Sequence, residues 1–377
     1  MDKQTAAKIK EYFVTHKEEL LADLHELVSA ESPSNNKEYA NRGCDVLCGI
    51  AERRLGVKGK RFPQDKFADH VIFTIGAGPR KCLLVGHYDT VWDVGSKPTV
   101  FEGNIVKGPG IFDMKYGVIS SIWSLKAVFD LKLPFDKTVY LLYNSDEEVG
   151  SPTSKPLILE YAKLCEAALI LEPSFNGGIK TTRKGVGRVE INITGVASHS
   201  GSNYEAGISA IDEAAKIVAY LHSLTDLEKG TTVNVGKIEG GTRSNVVAAH
   251  CRLDVDFRVT TAGEGHRLIE KINSIKPSRE GLGVEVTADL NRPPFEKTPG
   301  NAALYDKLVA TAALMDIEIF DVATGGASDG NFTSYEGTPT IDGLGAVGDG
   351  GHADHEYVDV EKSLERTVLL SAYWVEL

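Results

Sequence analysis

The sequence predicts an α/β protein: a mostly parallel sheet flanked by helices, interrupted by an inserted α+β domain built on a four-stranded sheet. Short apolar runs alternating with helical periodicity predict the parallel sheet. A switch to period-two alternation after about Arg183 predicts the insert, and the first rhythm returns beyond Pro293-Pro294. The chain therefore leaves one domain, builds another and comes back. The expected boundaries are 1–182 with 293–377 for the larger domain and 183–292 for the insert.

Leu20, Leu21, Leu24, Leu27 and Val28 follow helical spacing until Glu31-Ser32-Pro33-Ser34 stops it, so the chain opens with an amphipathic helix. A second helix is expected over 39–55, then strands near 58–62, 70–75 and 83–86. Helix 117–130 leads to a strand over 138–143, and helix 154–164 to a strand over 167–171. Within the insert, strands at 188–194, 232–238 and 251–259 alternate apolar and polar residues, and helices at 206–221 and 262–275 separate them. Helix 302–315, a short strand at 318–321, a glycine-rich loop at 325–330, a strand at 340–343 and a closing helix from 361 complete the chain.

A chain of 377 residues with net charge −12 has the length for two domains, and it lacks the cationic face that nucleic acid requires. Its five cysteines are scattered and odd in number, as in a reducing compartment. Cys44 and Cys48 stand one helical turn apart and read as buried thiols, since no matching pair occurs elsewhere. The first residues carry no signal-peptide pattern, and no apolar run approaches the ~18–20 residues of a membrane span. A cytoplasmic protein with no membrane partner is expected.

Glu147 and Glu148 end the apolar run 138–143, which has no use for acids. Taken alone, Asp146-Glu147-Glu148 before Gly150 is also ordinary turn composition. The pattern recurs, however: the run 82–86 ends in His87-Tyr88-Asp89, and the run 167–171 ends in Glu172-Pro173. Ligands of open α/β sheets lie beyond the carboxyl ends of the strands, so these groups can converge. Asp113 follows the glycine-rich loop Gly108-Pro109-Gly110, and His352 and His355 lie in a late glycine-rich loop. Imidazole with carboxylate is the donor set of zinc and its first-row neighbours.

The ordered motifs His87-x-Asp89, Gly-Pro-Gly-x-x-Asp113-Met-Lys, Asp146-Glu147-Glu148, Glu172-Pro173 and Gly-Gly-His352 resemble the M20 family of dinuclear zinc peptidases and aminoacylases, and most of all its glutamate carboxypeptidase branch. The resemblance spans nearly the whole chain. It implies a dinuclear zinc exopeptidase-like fold whose insert serves as a lid and dimerisation domain. It implies that His87, Asp113 and Glu172 hold one zinc, and Asp113, Glu148 and His352 the other. His352 stands four residues before Glu356, as the family pattern has it; His355 is the second candidate. Glu147 becomes the general base and Asp89 the orienter of His87. Manganese or cobalt would suit the same donors.

In the insert, Ser198-His199-Ser200-Gly201 resembles the family's segment whose histidine reaches the partner's active site, which implies a homodimer. Asn234, Arg258 and Arg292 match substrate contacts, Arg292 gripping a carboxylate. The loop Gly325-Gly326-Ala327-Ser328 reads equally as a plain turn or as a source of backbone N–H groups for substrate, with Gly326 as the candidate contact. Tyr88 and Tyr116 depart from the smaller residues common at those places; aromatics beside the site narrow or reshape the pocket, which leaves substrate identity open but not metal binding. The implied function is hydrolysis of the amide before a C-terminal amino acid, expected to be glutamate. The alternatives are an N-acyl-amino-acid deacylase of the acetylornithine or succinyl-diaminopimelate type, a dipeptidase, or a metal-free binding protein.

Overall fold

The computed structural model describes residues 1–377. The chain forms two compact units, one of residues 1–182, 297–324 and 328–377, the other of residues 183–296 with 325–327.

The first unit is built on a six-stranded sheet. Its spatial order is Lys60–Phe62, His70–Ile75, Lys137–Asn144, Arg80–His87, Ala167–Ile170, Thr340–Ile341. From Lys137–Asn144 onward neighbouring strands run parallel, while the first two strands join antiparallel at one edge. Leu83, Leu84, Val139, Leu141, Ala168 and Leu169 are completely enclosed, as expected for strands covered on both faces.

The opening helix Lys3–Ser29 is capped by Asp2, whose carboxylate accepts the Thr5 N–H at 2.8 Å. Ile9, Phe13, Leu20, Leu24 and Leu27 form its buried stripe. Helix Lys37–Leu55 ends at Gly56, whose φ of 68° is the left-handed turn glycine accepts without cost. Helix Tyr116–Asp130 packs between these two and the closing helix Val360–Glu376. Val118, Ile119, Ile122, Trp123 and Leu125 are all enclosed, so this helix is apolar nearly all round. No helix is long and apolar enough to cross a membrane.

A short antiparallel sheet escapes the sequence reading. Its order is Gly348–Asp349, Tyr357–Asp359, Ile105–Lys107, Val100–Glu102. Strands of two or three residues carry no readable periodicity, so nothing in the pattern announced them. The late strand expected at 318–321 lies instead at Asp321–Thr324.

The second unit is one antiparallel sheet in the order Thr232–Gly240, His250–Val259, Gly185–Thr194, Gly283–Arg292, with helices Ala210–His222 and Ala262–Asn273 packed on it. Its chain order, β-α-β-β-α-β, is that of ferredoxin-like folds. Val189, Ile191 and Ile193 from one strand and Leu253, Val255 and Phe257 from the next face the helices in a common core. Ser209 and Thr261 cap the two helices through the N–H groups of Asp212 and Glu264.

Asp23 is the polar exception in the core of the first unit. It is 2% exposed and accepts from Arg53 Nη2 at 2.9 Å, Arg54 Nε at 2.7 Å and Trp123 Nε1 at 2.9 Å. Arg53 also binds Glu26, and Arg54 also binds Glu19. Each arginine thus keeps a partner if Asp23 is removed. Asp23→Ala is expected to cost about 3 kcal/mol, the low end for breaking a buried ion pair. Urea denaturation measures it; a loss under about 1 kcal/mol would show the hub dispensable.

Candidate metal centre

Lys137–Asn144, Arg80–His87 and Ala167–Ile170 are adjacent parallel strands, so their carboxyl ends open on one place. His87 is the last residue of its strand; Glu147 and Glu148 begin a short turn just past Asn144; Glu172 follows two residues after Ile170. The short antiparallel sheet brings up the remainder. Tyr357 pairs with Lys107 and Val358 with Val106, which sets the His352 loop beside the Asp113 loop.

The His87 ring is buried, and Nδ1 lies 3.0 Å from the Asp89 carbonyl oxygen. A proton on Nδ1 donated to that oxygen orients the ring so that Nε2 faces the cluster. Nε2 is 3.3 Å from Asp113 Oδ1 and 3.7 Å from Glu172 Oε1. On the opposite side of Asp113, His352 Nε2 is 3.5 Å from Oδ2 and 2.9 Å from Glu148 Oε2. Asp113 thus offers one oxygen to each imidazole. Donor atoms of His87, Asp113 and Glu148 lie within 4.8 Å of one another, as do those of His87, Glu147 and Glu172. His355 stands apart, exposed, with Asp349 at 4.0 Å. His352 itself has a φ of 63°, a conformation that non-glycine residues adopt rarely and mostly at functional sites.

The crowding shows in the titration of the cluster. Burial pushes the Glu148 carboxyl up to about 7, helped by the Asp113 charge and opposed by the bond to His352. That same bond lifts His352 to about 9. Burial also works against the Asp113 charge, but the bond from His87 and the nearby cations hold Asp113 below the usual range.

Asp89 does more than the sequence suggested. Its carboxylate accepts from Ser34 Oγ at 2.6 Å and from the backbone N–H groups of Glu147 and Glu148 at 3.3 Å. Its own carbonyl, nearer than its carboxylate at 3.5 Å, takes the His87 contact. Asp89 is therefore a clamp that ties the His87 strand end to the acidic turn. Asp146 closes that turn by accepting from Thr153 N and Oγ1 and from Ser154 N and Oγ.

Glu356 is the support that sequence reasoning used only as a spacing marker. Its buried carboxylate accepts the N–H groups of Gly110 at 3.2 Å, Phe112 at 3.0 Å and Asp113 at 3.2 Å, and Trp92 Nε1 at 2.7 Å. Backbone donors carry no sequence signal, so only the folded chain shows them. Tyr88 and Tyr116 do not narrow the pocket. Both are fully buried, and their hydroxyls bond to the Asp69 carbonyl and to Thr367 Oγ1 inside the core.

In the second unit His199 is exposed, and its Nδ1 accepts the N–H groups of Gly201 and Ser202, each at 3.1 Å. The proton must then sit on Nε2, which faces away as a donor. Arg258 is bonded in two places to Asp256, at 2.9 and 3.0 Å. Arg292 is 5% exposed, Asn234 is exposed on its strand, and the Gly326 carbonyl accepts from Arg183 Nη1 at 3.1 Å.

Residues 181–278 match the family described as the Peptidase dimerisation domain, M20_dimer. Carboxypeptidase G2 of Pseudomonas sp. (strain RS-16) is 32% identical over 371 residues, covering 94% of this chain and 88% of that protein. The chain belongs to the M20 family of metallopeptidases. Acetylornithine deacetylase of Myxococcus xanthus is also similar, 27% identical over 283 residues, or 68% of this chain and 71% of that one. Among solved structures, the M20 family metallo-carboxypeptidase Sso-CP2 from Sulfolobus solfataricus has the same fold, with a TM-score of 0.75 at 18% identity over 95% of this chain and 99% of that one.

M20 enzymes are metal-dependent hydrolases, and the cluster fits a cation. Glu148 Oε1 is buried without a hydrogen-bond partner. The carboxylates of Asp113, Glu147, Glu148 and Glu172 crowd together around the imidazoles of His87 and His352, an arrangement that like charges resist unless positive charge stands among them.

Glu356 gives this M20 centre a specific test. A Gln side chain would turn an NH2 donor toward N–H groups that now meet a carboxylate oxygen. Glu356→Gln is expected to weaken metal binding about 10–100-fold, the usual cost of removing a group that positions a ligand. Titration of the chelator-treated protein with zinc measures it; unchanged affinity would show that the Asp113 loop holds itself.

Proposed function

We propose that this M20 hydrolase cleaves the amide bond before a C-terminal amino acid, with glutamate as the preferred residue. The observation that carries the reading is the division of Asp113, one oxygen toward His87 and the other toward His352, beside the unpartnered Glu148 Oε1. In this reading His87, Asp113 and Glu172 hold one metal ion and Asp113, Glu148 and His352 a second, with zinc as the expected metal. When bound, such a pair supplies Lewis-acid activation of the scissile carbonyl and of the attacking water.

The chain's own residues do the rest. Glu147 takes the proton from the water as the new C–O bond forms, then delivers it to the leaving nitrogen as the C–N bond breaks. Its neighbour Glu148 turns to the His352 side, so adjacent acids take different tasks. Asp89 holds both halves of that turn through the Glu147 and Glu148 N–H groups. His199, with its proton fixed on Nε2, is suited to donate to a developing oxyanion in a partner subunit of a homodimer. The grip on the substrate's carboxylate falls to Arg292, the position that resembles the family's carboxylate-binding arginine, with Arg258, Asn234 and Gly326 as the other proposed substrate contacts; Arg258 is also bonded to Asp256 at 2.9 and 3.0 Å. The likeness to carboxypeptidase G2 supports carboxypeptidase over deacylase chemistry, although acetylornithine deacetylases share the family.

The roles of the acidic pair separate by experiment. Glu147→Gln is expected to lower kcat by about 10²–10⁴-fold with metal content unchanged, as loss of a general base does. Glu148→Gln is expected to weaken one of the metal sites. Equal metal loss in both variants, by elemental analysis, would refute the division.

Substrate class is tested by assaying N-acyl glutamates, folate-type glutamate conjugates, N-acetyl amino acids and dipeptides side by side. Glutamate amides are expected to give the highest kcat/KM. Turnover of acetylornithine with none of glutamate amides would turn the assignment to a deacylase.

A further inference from the structure

We propose that a cavity of about 450 Å³ on the first unit, away from the metal cluster, binds a small monocarboxylic acid with an apolar or aromatic body. Asn176, Gly177, Phe320, Tyr357, Lys362 and Arg366 line it, and none of them belongs to the cluster. Its volume lies within the range of small-ligand sites, about 300–1,000 Å³.

Arg366 carries the argument. It projects from helix Val360–Glu376 and is only 7% exposed. Its Nη2 donates to the Gly177 carbonyl, while Nη1 is buried and has no hydrogen-bond partner. Burial draws the guanidinium below its usual range, and the charges of Glu365 and Tyr305 only partly offset this. A buried guanidinium with one donor unpaired is costly, and a carboxylate brought against it offsets that cost with a charge-assisted hydrogen bond.

The rest of the cavity narrows the class. Phe320 is 51% exposed, an apolar face without cover, and Tyr357 lines the same space half-buried. Together they suit a ring or short alkyl body behind the carboxylate. Lys362 adds a cation at the surface, where it stands 3.6 Å from Asp359. Asp359, Glu318 and Glu365 also line the cavity, so a doubly charged phosphate meets more repulsion there than a single carboxylate, which has to sit on the Arg366 side.

The test uses the metal-loaded full chain with benzoate, benzamide, acetate and inorganic phosphate as probes in calorimetric titration. Co-crystals with 4-bromobenzoate locate the site through the bromine's anomalous signal, which separates it from binding at the metal centre. Benzoate is expected to bind saturably, benzamide and acetate at least tenfold more weakly, with bromine over Phe320 and Tyr357. Arg366→Met, which keeps the side chain's stem, is expected to lose at least tenfold in benzoate affinity. Benzamide binding as well as benzoate, phosphate binding better, or bromine found only at the metal centre would each overturn the proposal. The comparison of probes on the unaltered protein stands even if the variant fails to fold.

Discussion

The fold is organised around one electrostatic constraint: Asp113, Glu147, Glu148 and Glu172 meet in a space shared with two imidazoles. Buried carboxylates repel one another and have lost the water that would solvate them. The protein meets this in two ways. Protons and hydrogen bonds from His87 and His352 offset part of the charge, and the geometry leaves Asp113 and Glu148 oxygens directed at the shared space. A centre of this kind is unfavourable by itself and depends on what binds there.

Holding such a centre requires a frame that does not relax. The strand bearing His87 is fixed by pairing on both sides, and the acidic turn is fixed to it through Asp89. The Asp113 loop has no strand of its own. It is held instead by Glu356, which lies 244 residues from Phe112 in sequence and binds consecutive backbone donors across the short antiparallel sheet. The same sheet carries His352 at the end of its hairpin. A single device thus sets both Asp113 and the late histidine.

Much of the centre is legible in the sequence. A buried parallel strand must be apolar, so a charged residue at its end stands out, and His87, Glu147, Glu148 and Glu172 were found in that way. Asp113 and His352 are visible through glycine-rich loops and through family resemblance, which also favours His352 over His355; of the two, His352 lies against Asp113 and Glu148, and His355 against Asp349. Other features were hidden. The strands Ile105–Lys107 and Tyr357–Asp359 are too short to show a period, and the donors that Glu356 collects are main-chain groups common to every residue. The direction of Tyr88 and Tyr116 is hidden too, because residue size says nothing about where a side chain turns. Each follows a ligand or a loop in sequence, yet each turns into the core, where its hydroxyl finds a partner.

The sequence by itself determined the layer architecture, the inserted domain and the chemical character of the centre. These depend on composition and period, which local physics reads directly: apolar runs must be buried, alternating runs must face a core on one side, and carboxylate with imidazole must serve metal or proton chemistry. Tertiary structure alone decided which oxygen of Asp113 faces which histidine, that Asp89 clamps the acidic turn, and that Arg366 lies buried beside a cavity. Those outcomes depend on distances between residues far apart in the chain, and such distances are set by the packing of strands and helices against one another.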